Sequence, residues 1–267
     1  MTINGGATVA LLQAILSVAF AAPVLAADFT ARDVTQTLFK AAPGSPVTFA
    51  GKDLGGLDLA GLDFKGASLA RANLFGADLS GADLSGTDLS GAKLDRVTLV
   101  ATRFAGANLA GTSLLRPSVF STLTANAPEA PSFKSAQMRG IKMFGRFTRG
   151  DFSGADMTDA TVAPFGKTGF IEEIWRSEFS GANFAGAILT RADFTHALLT
   201  FANLRGADLR GTNLKNADLS AADLTGADLT GADLTGADLD GAILTNAKGL
   251  DAVKGLTEAR HIDKMIR

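Results

Sequence analysis

Residues 222–242 read ADLTGADLTGADLTGADLDGA, in which almost the same five letters return four times. An α-helix turns about 100° per residue, so leucines five apart would spiral around it and form no apolar face. In a straight β-strand the side chains alternate, and an odd period would place successive leucines on opposite faces. The chain must therefore change direction once in each repeat. The glycine at the repeat boundary tolerates the geometry of such a turn.

A short extended side followed by a corner accounts for the period. In ADLTG, the alternation within one side sends the Ala and the Leu inward, and the Asp and the Thr outward. This pattern resembles the pentapeptide-repeat family, whose motif is A(D/N)LXX, and it covers nearly all of residues 49–247. The resemblance implies a right-handed coil with four sides, about 20 residues in each turn, whose turns stack at the strand spacing of about 4.8 Å.

The central Leu, Phe, Met or Val residues divide the chain into three tracts, 49–115, 133–163 and 178–248, with 35 repeats in total. At four repeats per coil we expect about nine coils and a rod of roughly 42 Å. The step from Met143 to Phe147 is only four residues, so one corner there must be tighter. The sequence thus predicts an all-β fold, a right-handed quadrilateral β-helix, with short helical caps at both ends and two extruded loops.

Two stretches interrupt the repeat and are predicted to be loops that leave from corners. The first, 116–132, contains RPSVFSTLTANAPEAP and carries three of the seven prolines. The second, 164–177, reads PFGKTGFIEEIWRS and carries the only Trp. A short helix at IEEIW is the alternative for the second stretch.

Two segments could cover the ends of the β-helix, where strand edges are otherwise unpaired. In 27–48, the spacing of Val34 and Leu38 predicts a short amphipathic helix over the first coil. In 249–267 the sequence predicts a second helical cap with Thr257 as its N-cap. The alternative is that these helices bind a partner. The apolar side of the second helix would consist of Ala259, Ile262 and Ile266.

The first 27 residues differ in composition from the rest of the chain. Residues 7–27 hold no charge and end in small residues after Pro23. Val24-Leu25-Ala26 fits the small-residue rule for signal peptidase, which predicts a signal peptide over 1–26, cleavage after Ala26 and a periplasmic or secreted protein. An uncleaved membrane anchor is the alternative, because MTINGG lacks Lys and Arg and 21 apolar residues can span a bilayer. We expect no membrane span after cleavage.

The composition argues against several kinds of chemistry. The 267 residues include no Cys and only two His, and the formal net charge of −2 is too near neutral to indicate nucleic-acid binding. No nucleophile elbow, phosphate-binding loop, dinucleotide fingerprint or zinc-protease motif occurs. An interior of Leu, Phe and Ala should pack solid without a ligand pocket. We therefore expect no catalytic, cofactor-binding or metal-binding residues.

The middle tract carries the strongest candidate for a binding surface. Its five basic residues fall in one coil with no acid between Glu129 and Asp151, and by the repeat register they all point outward. Phe144 should also point outward, and an exposed aromatic among cations is typical of an interaction hot spot. Trp175 and Arg176 of the second loop are further candidates. The five basic residues are Lys134, Arg139, Lys142, Arg146 and Arg149.

Three classes of function can be considered. The first, which we predict, is a non-catalytic exported scaffold or interaction module with an unknown, acidic periplasmic protein as partner, either a monomer or an end-to-end dimer. The second follows from the resemblance, because some pentapeptide-repeat proteins imitate B-form DNA and protect DNA gyrase. That role requires a cytoplasmic, strongly acidic rod, and this chain departs from it in charge and predicted export. The third is an enzyme acting through the 164–178 loop, for which no constellation of residues is found.

The carboxylates near the C-terminal end form a separate pattern. Six aspartates occur within 23 residues with no Lys or Arg among them, and they would form a negative collar around the rod. Solubility and hydrogen bonds to corner amides are the expected roles, with loose cation binding as the alternative. The six residues are Asp218, Asp223, Asp228, Asp233, Asp238 and Asp240.

Overall fold

The computed structural model of the chain describes residues 29–42, 45, 47–120, 127–163 and 176–267. Its helices are α1 (Ala31–Lys40) and two 3-10 helices (Ala127–Glu129 and Leu256–Glu258), and its strands are β1 (Ser113–Leu115) and β2 (Lys142–Phe144). β1 and β2 pair in parallel. No helix within these ranges is long and apolar enough to cross a membrane. Most of the remaining order comes from isolated parallel β-bridges.

In the regular coils the bridges repeat with a period of 20 residues, which is the length of four pentapeptides. Asp53 pairs with Asn73, for example, and Asp58 pairs with Asp78. Each bridge joins the residue before a central Leu or Phe to its counterpart in the next coil, so four ladders of such residues run along the β-helix. We name the ladders after their first residues, Thr48, Asp53, Asp58 and Asp63.

Side chains alternate between the interior and the surface within each repeat, as the sequence predicts. Ala227 and Leu229 are both fully buried, and Asp228 between them is only partly buried. The Asp228 carboxylate accepts hydrogen bonds from the backbone N–H and the hydroxyl of Thr230, at 3.0 and 2.6 Å. Such local bonds satisfy corner amides that have no partner in a ladder. The outward aspartates are therefore part of the corner structure as well as of the surface.

Phenylalanines stack through the middle of the core. The ring of Phe133 stacks on Phe104 and Phe152, with centroid distances of 4.9 and 5.0 Å, and Phe152 stacks on Phe184 at 4.9 Å. Stacked aromatic pairs contribute about 0.5–1.5 kcal/mol beyond the burial of their area. The stack passes through the coils from which both interruptions leave, so ring pairs join these coils across the breaks in the repeat.

The N-terminal helix α1 lies within the segment where the sequence predicts one. Thr30 and Asp33 form a capping box, in which each side chain accepts a hydrogen bond from the backbone N–H of the other. Val34 and Leu38 are buried in the core of the β-helix. Lys65 donates a hydrogen bond to the carbonyl oxygen of Leu38 at 2.8 Å, which ties the helix to the first coil.

The C-terminal segment forms a further coil, and the helix predicted over 249–267 is wrong. The Thr48 ladder runs through ten residues and ends at Lys248, one coil more than the nine expected. Ile262 and Ile266, predicted to be buried, are 39% and 52% exposed. The physical reason is the open edge of the preceding coil. An extended segment forms hydrogen bonds with the backbone groups of that edge, whereas a helix could not. The bridges are Lys248–Asp228, Lys254–Asp233, Arg260–Asp238 and Ile266–Ile243.

The first interruption is shorter than predicted. Ser118 still forms a bridge to the preceding coil and Val119 is buried, so residues 116–119 belong to the coil rather than to a loop over 116–132. The ladder resumes at Ser132. The second interruption begins after Val162, and its residues 164–175 lie outside the described residues. The IEEIW helix and the predicted signal peptide over 1–26 also lie outside them.

The four-residue step is accommodated by an extended segment, and the prediction that Phe144 is exposed is wrong. Phe144 is only 8% exposed. The chain turns no corner after Met143 but continues as β2, so Phe144 pairs with Leu115 of the neighbouring coil. The turn comes at Gly145, where φ is 152° and a Cβ would approach Pro117 Cδ to 3.0 Å. Only glycine fits this corner without a shift of its neighbour.

Candidate interaction face

The five basic residues that the sequence places in one coil are all exposed, but they do not share a face. Lys142 stands on the Asp53 ladder and Arg146 on the Asp58 ladder. Arg139 follows the Thr48 ladder and is paired with Asp156 at 2.6 Å. One coil encloses four sides, so five charges in one coil form a ring rather than a patch. Lys134 lies at the corner after the Asp63 ladder, and Arg149 at the corner after the Asp58 ladder.

Arginines from three successive coils converge on the Asp58 ladder. Arg146 and Glu178 are paired rungs of this ladder. Arg116 and Arg176 occupy equivalent corners, each two residues before a rung, and Arg149 lies at the opposite corner of the same side. Both interruptions leave the β-helix beside this side, the first after the rung Ser118 and the second before the rung Glu178. We call it the arginine face, and it consists of Arg116, Arg146, Arg149 and Arg176.

Arg146 connects the described edges of the two interruptions. Its Nε donates a hydrogen bond to Glu178 Oε2 at 3.0 Å, just after the second interruption. Its guanidinium carbon lies 5.9 Å from the ring centroid of Phe120, just before the first. A cation over an aromatic ring is attracted to it by about 0.5–1 kcal/mol at an exposed site. Arg146 therefore positions these edges relative to each other, and part of its charge is already compensated.

In the described part of the chain Arg149 has no compensating acid, unlike several other arginines. Its backbone is left-handed, with φ of 60°, and its stem lies against the next coil, where Cγ is 3.5 Å from the position of a Cβ on Gly181. Within the part of the chain that the structure describes, Arg149 forms no ion pair. By contrast, Arg103 and Arg191 are paired with Asp83 and Asp159, at 3.1 and 2.7 Å. Arg149 is thus a cation available to a partner.

The arginine face is a cationic island on a ladder that is acidic at both ends. Asp58 and Asp78 are rungs of the first coils, and Asp218 and Asp238 are rungs near the C-terminal end. Between them, Glu178 is the one acidic rung, and it is paired with an arginine. The island spans about three coils, or roughly 10 Å from the first rung to the third.

The aspartate collar is engaged in local contacts. Hydrogen bonds from the side chain and the backbone of Thr230 hold the pKa of Asp228 below its ordinary value. Asp223 and Asp233 are paired with Arg205 and Lys215, at 2.9 and 3.1 Å. Among the residues that the structure describes, no group of His, Asp and Glu could hold a metal ion. The collar offers corner hydrogen bonds and ion pairs rather than a built cation site.

The sequence-predicted site residues have different fates in the fold. Arg146, Arg149 and Arg176 come together, whereas Lys134, Arg139 and Lys142 lie on other sides and corners, and Trp175 is outside the described residues. Sequence reasoning missed Arg116, which it assigned to a loop. The rungs continue in steps of five residues from Thr98 to Ser118. Counting these steps in the sequence would have placed Arg116 in a coil.

A family model of known proteins matches the repeats of this chain. The family described as Pentapeptide repeats matches in eight copies, over residues 53–91, 82–114, 177–216 and 212–248, half of the chain. HetL from the cyanobacterium Nostoc sp. strain PCC 7120, a pentapeptide repeat protein involved in regulation of heterocyst differentiation, is 23% identical over 90% of this chain and 100% of its own, with a TM-score of 0.36.

Two further solved structures extend the comparison. Full-length QnrB1, a plasmid-mediated fluoroquinolone resistance protein, is 21% identical over 79% of this chain and 90% of its own, with a TM-score of 0.32. A pentapeptide repeat protein of the Arabidopsis thaliana thylakoid lumen is 28% identical over 40% of this chain and 63% of its own, with a TM-score of 0.21. No curated protein sequence matches the chain. The repeat match and the 20-residue ladders together show that the chain belongs to the pentapeptide-repeat family, which implies a right-handed β-helix.

Proposed function

We propose that this protein is a non-catalytic interaction module that binds an acidic protein through the arginine face. The observation that carries the proposal is the convergence of Arg149 and Arg176 with the edges of both interruptions on one ladder. A strict repeat gives its sides similar residues, so a departure concentrated on one side marks a local functional demand.

The interior supports binding over catalysis. The central Leu and Phe residues and the inward Ala residues fill the coil, so a substrate has no cavity to enter there. Proteins of the pentapeptide-repeat family are in general structural rather than catalytic. The chemistry of the arginine face is recognition, because guanidinium groups donate paired hydrogen bonds to carboxylates.

The charge distribution favours a short acidic segment of a protein over a long polyanion. A nucleic acid lying along the Asp58 ladder would leave the arginine face and meet Asp78 on one side or Asp218 on the other. Its phosphates would be repelled there, and only about three coils would attract them. A protein segment with a few carboxylates fits within the island.

We further propose that the module acts outside the cytoplasm, in the periplasm or as a secreted protein. The support is in the sequence, where Val24-Leu25-Ala26 closes an uncharged apolar stretch in the manner of a signal peptide. The partner would then be an exported protein. DNA mimicry and gyrase protection require a cytoplasmic acidic rod, and a cationic island on the surface argues against them.

The test is capture of partners by variants that differ at one arginine. Arg149→Glu reverses the charge of one residue of the arginine face, and Arg71→Glu is its matched control. Arg71 has the same left-handed backbone, with φ of 58°, is exposed, and lies with Cγ 3.4 Å from the position of a Cβ on Gly91, but it stands at another corner.

We expect wild type and Arg71→Glu to retain the same acidic protein from an exported fraction of the native host, as measured by quantitative mass spectrometry. Arg149→Glu should retain at least about tenfold less of it, which corresponds to about 1.4 kcal/mol. All variants should show the same circular dichroism. Equal capture by all three proteins would contradict the proposal.

A further inference from the structure

We propose that Phe201 is the apolar anchor of the same binding surface, and that the partner segment places an apolar side chain beside its acidic residues. The inference rests on the proposed function and deepens it by naming the chemistry of the partner. It comes from an aromatic residue whose position folding alone does not account for.

Phe201 is an uncovered aromatic side chain. It is 74% exposed, and the part of the chain that the structure describes places no ring or cation over it. Another exposed phenylalanine, Phe75, is 48% exposed and has the guanidinium of Arg96 at 5.8 Å from its ring centroid. An exposed aromatic side chain without such cover is typical of a contact residue, because aromatic rings bury much area with little loss of rotamer freedom.

The backbone at Phe201 is left-handed, with φ of 58°. A Cβ is unfavourable in this conformation, and bulky residues adopt it rarely. The equivalent corner carries Gly181 in the preceding coil and Ala221 in the following one. Every other described non-glycine residue with positive φ is Ala, Ser, Asn, His or charged. The other described residues at such corners are small or polar, so a large apolar side chain is explained better by contact with a partner than by the fold.

Phe201 continues the arginine face along the rod. Arg149, Gly181 and Phe201 occupy the same corner of three successive coils. The backbone of Phe201 is therefore about 10 Å from the backbone of Arg149, and only a glycine lies between them. Leu198, on the adjacent rung, stands between the acidic rungs Glu178 and Asp218. Phe201 and Leu198 thus form a small apolar surface next to the arginine face.

This order of chemistry defines the partner segment. An extended chain advances about 3.3 Å per residue, so contacts about 10 Å apart correspond to residues three apart. The segment should therefore carry a carboxylate for Arg149 and, three residues away, a Leu, Phe or Trp for Phe201. Beyond Phe201 the rungs Asp218 and Asp238 would repel further acids, which orients the segment with its acidic end toward the middle of the rod.

The test uses a displayed library of random 12-residue peptides as the probe. Peptides are selected on the purified protein and depleted on Arg149→Glu. We expect the recovered peptides to carry Asp or Glu with a large apolar residue three positions away. A synthetic peptide of the recovered sequence should bind Phe201→Ala at least about tenfold more weakly than wild type, whereas Phe75→Ala should bind it as wild type does.

The outcomes separate the anchor from the proposed function. If acidic peptides are recovered and Phe201→Ala binds them as well as wild type does, the anchor is overturned and the arginine face remains. If no acidic peptides are recovered, the result contradicts both the proposed function and the role of Phe201 as an apolar anchor. If Phe201→Ala instead abolishes self-association in sedimentation velocity, the occupant is a second copy of the chain and the inference is overturned. Ala221, at the equivalent corner with φ of 54°, shows that alanine is tolerated there.

Discussion

The phenylalanine stack should contribute measurably to stability, and Phe152→Leu tests it. The ring of Phe152 is fully buried and stacks on Phe133 and Phe184 with centroid distances of 5.0 and 4.9 Å. Leucine keeps an apolar side chain at this position but removes both stacked contacts. The ring also packs edge-on against Phe147 and Phe179, with centroid distances of 6.3 and 5.7 Å. The loss is therefore the sum of a smaller buried volume and four missing ring pairs.

Phe64→Leu is the matched control for the volume. Phe64 is fully buried at the same position of its repeat, following the Asp63 ladder, and it has no ring contact within the described residues. Both substitutions cost the same transfer and cavity free energy to a first approximation. Four ring pairs at about 0.5–1.5 kcal/mol each are worth about 2–6 kcal/mol together, so Phe152→Leu should lower the free energy of unfolding by that much more than Phe64→Leu does.

The assay is equilibrium unfolding in urea, followed by circular dichroism for wild type and both variants. A coil at an end of the rod unfolds more readily than one in the middle, so the slope of each transition must match that of wild type before the free energies are compared. Equal losses for the two variants, or a larger loss for Phe64→Leu, would refute the stabilising role of the stack.

Four further results are expected. Leu229→Asp, which buries a charge, should unfold the adjacent coils, whereas Asp228→Leu should cost only about 1 kcal/mol, and equal melting temperatures would contradict the alternation. Rung aspartates such as Asp228 have a lowered pKa. The stability that they contribute is therefore present above about pH 3.8 and is lost as the pH falls through their folded-state pKa. Melting temperatures that already fall above pH 5 would point to other groups. Asp238→Asn removes the carboxylate that contacts His261 at 2.7 Å and should speed hydrogen exchange in the last coil but not in the first coils. In a Gram-negative host the mature chain should begin at Ala27, as read by mass spectrometry of the osmotic-shock fraction, and a full-length cytosolic chain would contradict export.

Local sequence was sufficient for the repeating unit. The five-residue period, the inward Leu and Ala and the outward Asp follow from alternation and from glycine at the corners, and these depend on neighbours within one repeat. The capping box of α1 and the buried pair Val34 and Leu38 are likewise encoded within ten residues. For these features no distant contact had to be known.

Hydrogen bonds between coils determined the conformation of two segments that the local sequence pattern predicted wrongly. The apolar spacing in 249–267 favoured a helix, yet the backbone groups left open by the preceding coil pair with Lys254 and Arg260 instead. Phe144 likewise had an outward register but is buried, because its strand pairs with Leu115 from the coil before. In both cases hydrogen bonds to a distant segment outweighed the local preference.

The sequence alone determined the coil, its inside and its outside, and the presence of basic residues in the middle tract. Only the tertiary structure decided which of those residues share a side. Arg146 and Glu178 are 32 residues apart, and their contact depends on how many residues leave the ladder at the second interruption. Stacking converts residues one coil apart into neighbours at about 4.8 Å and sends residues of one coil to different sides. The arginine face is therefore a property of the stacked coils and not of any single repeat.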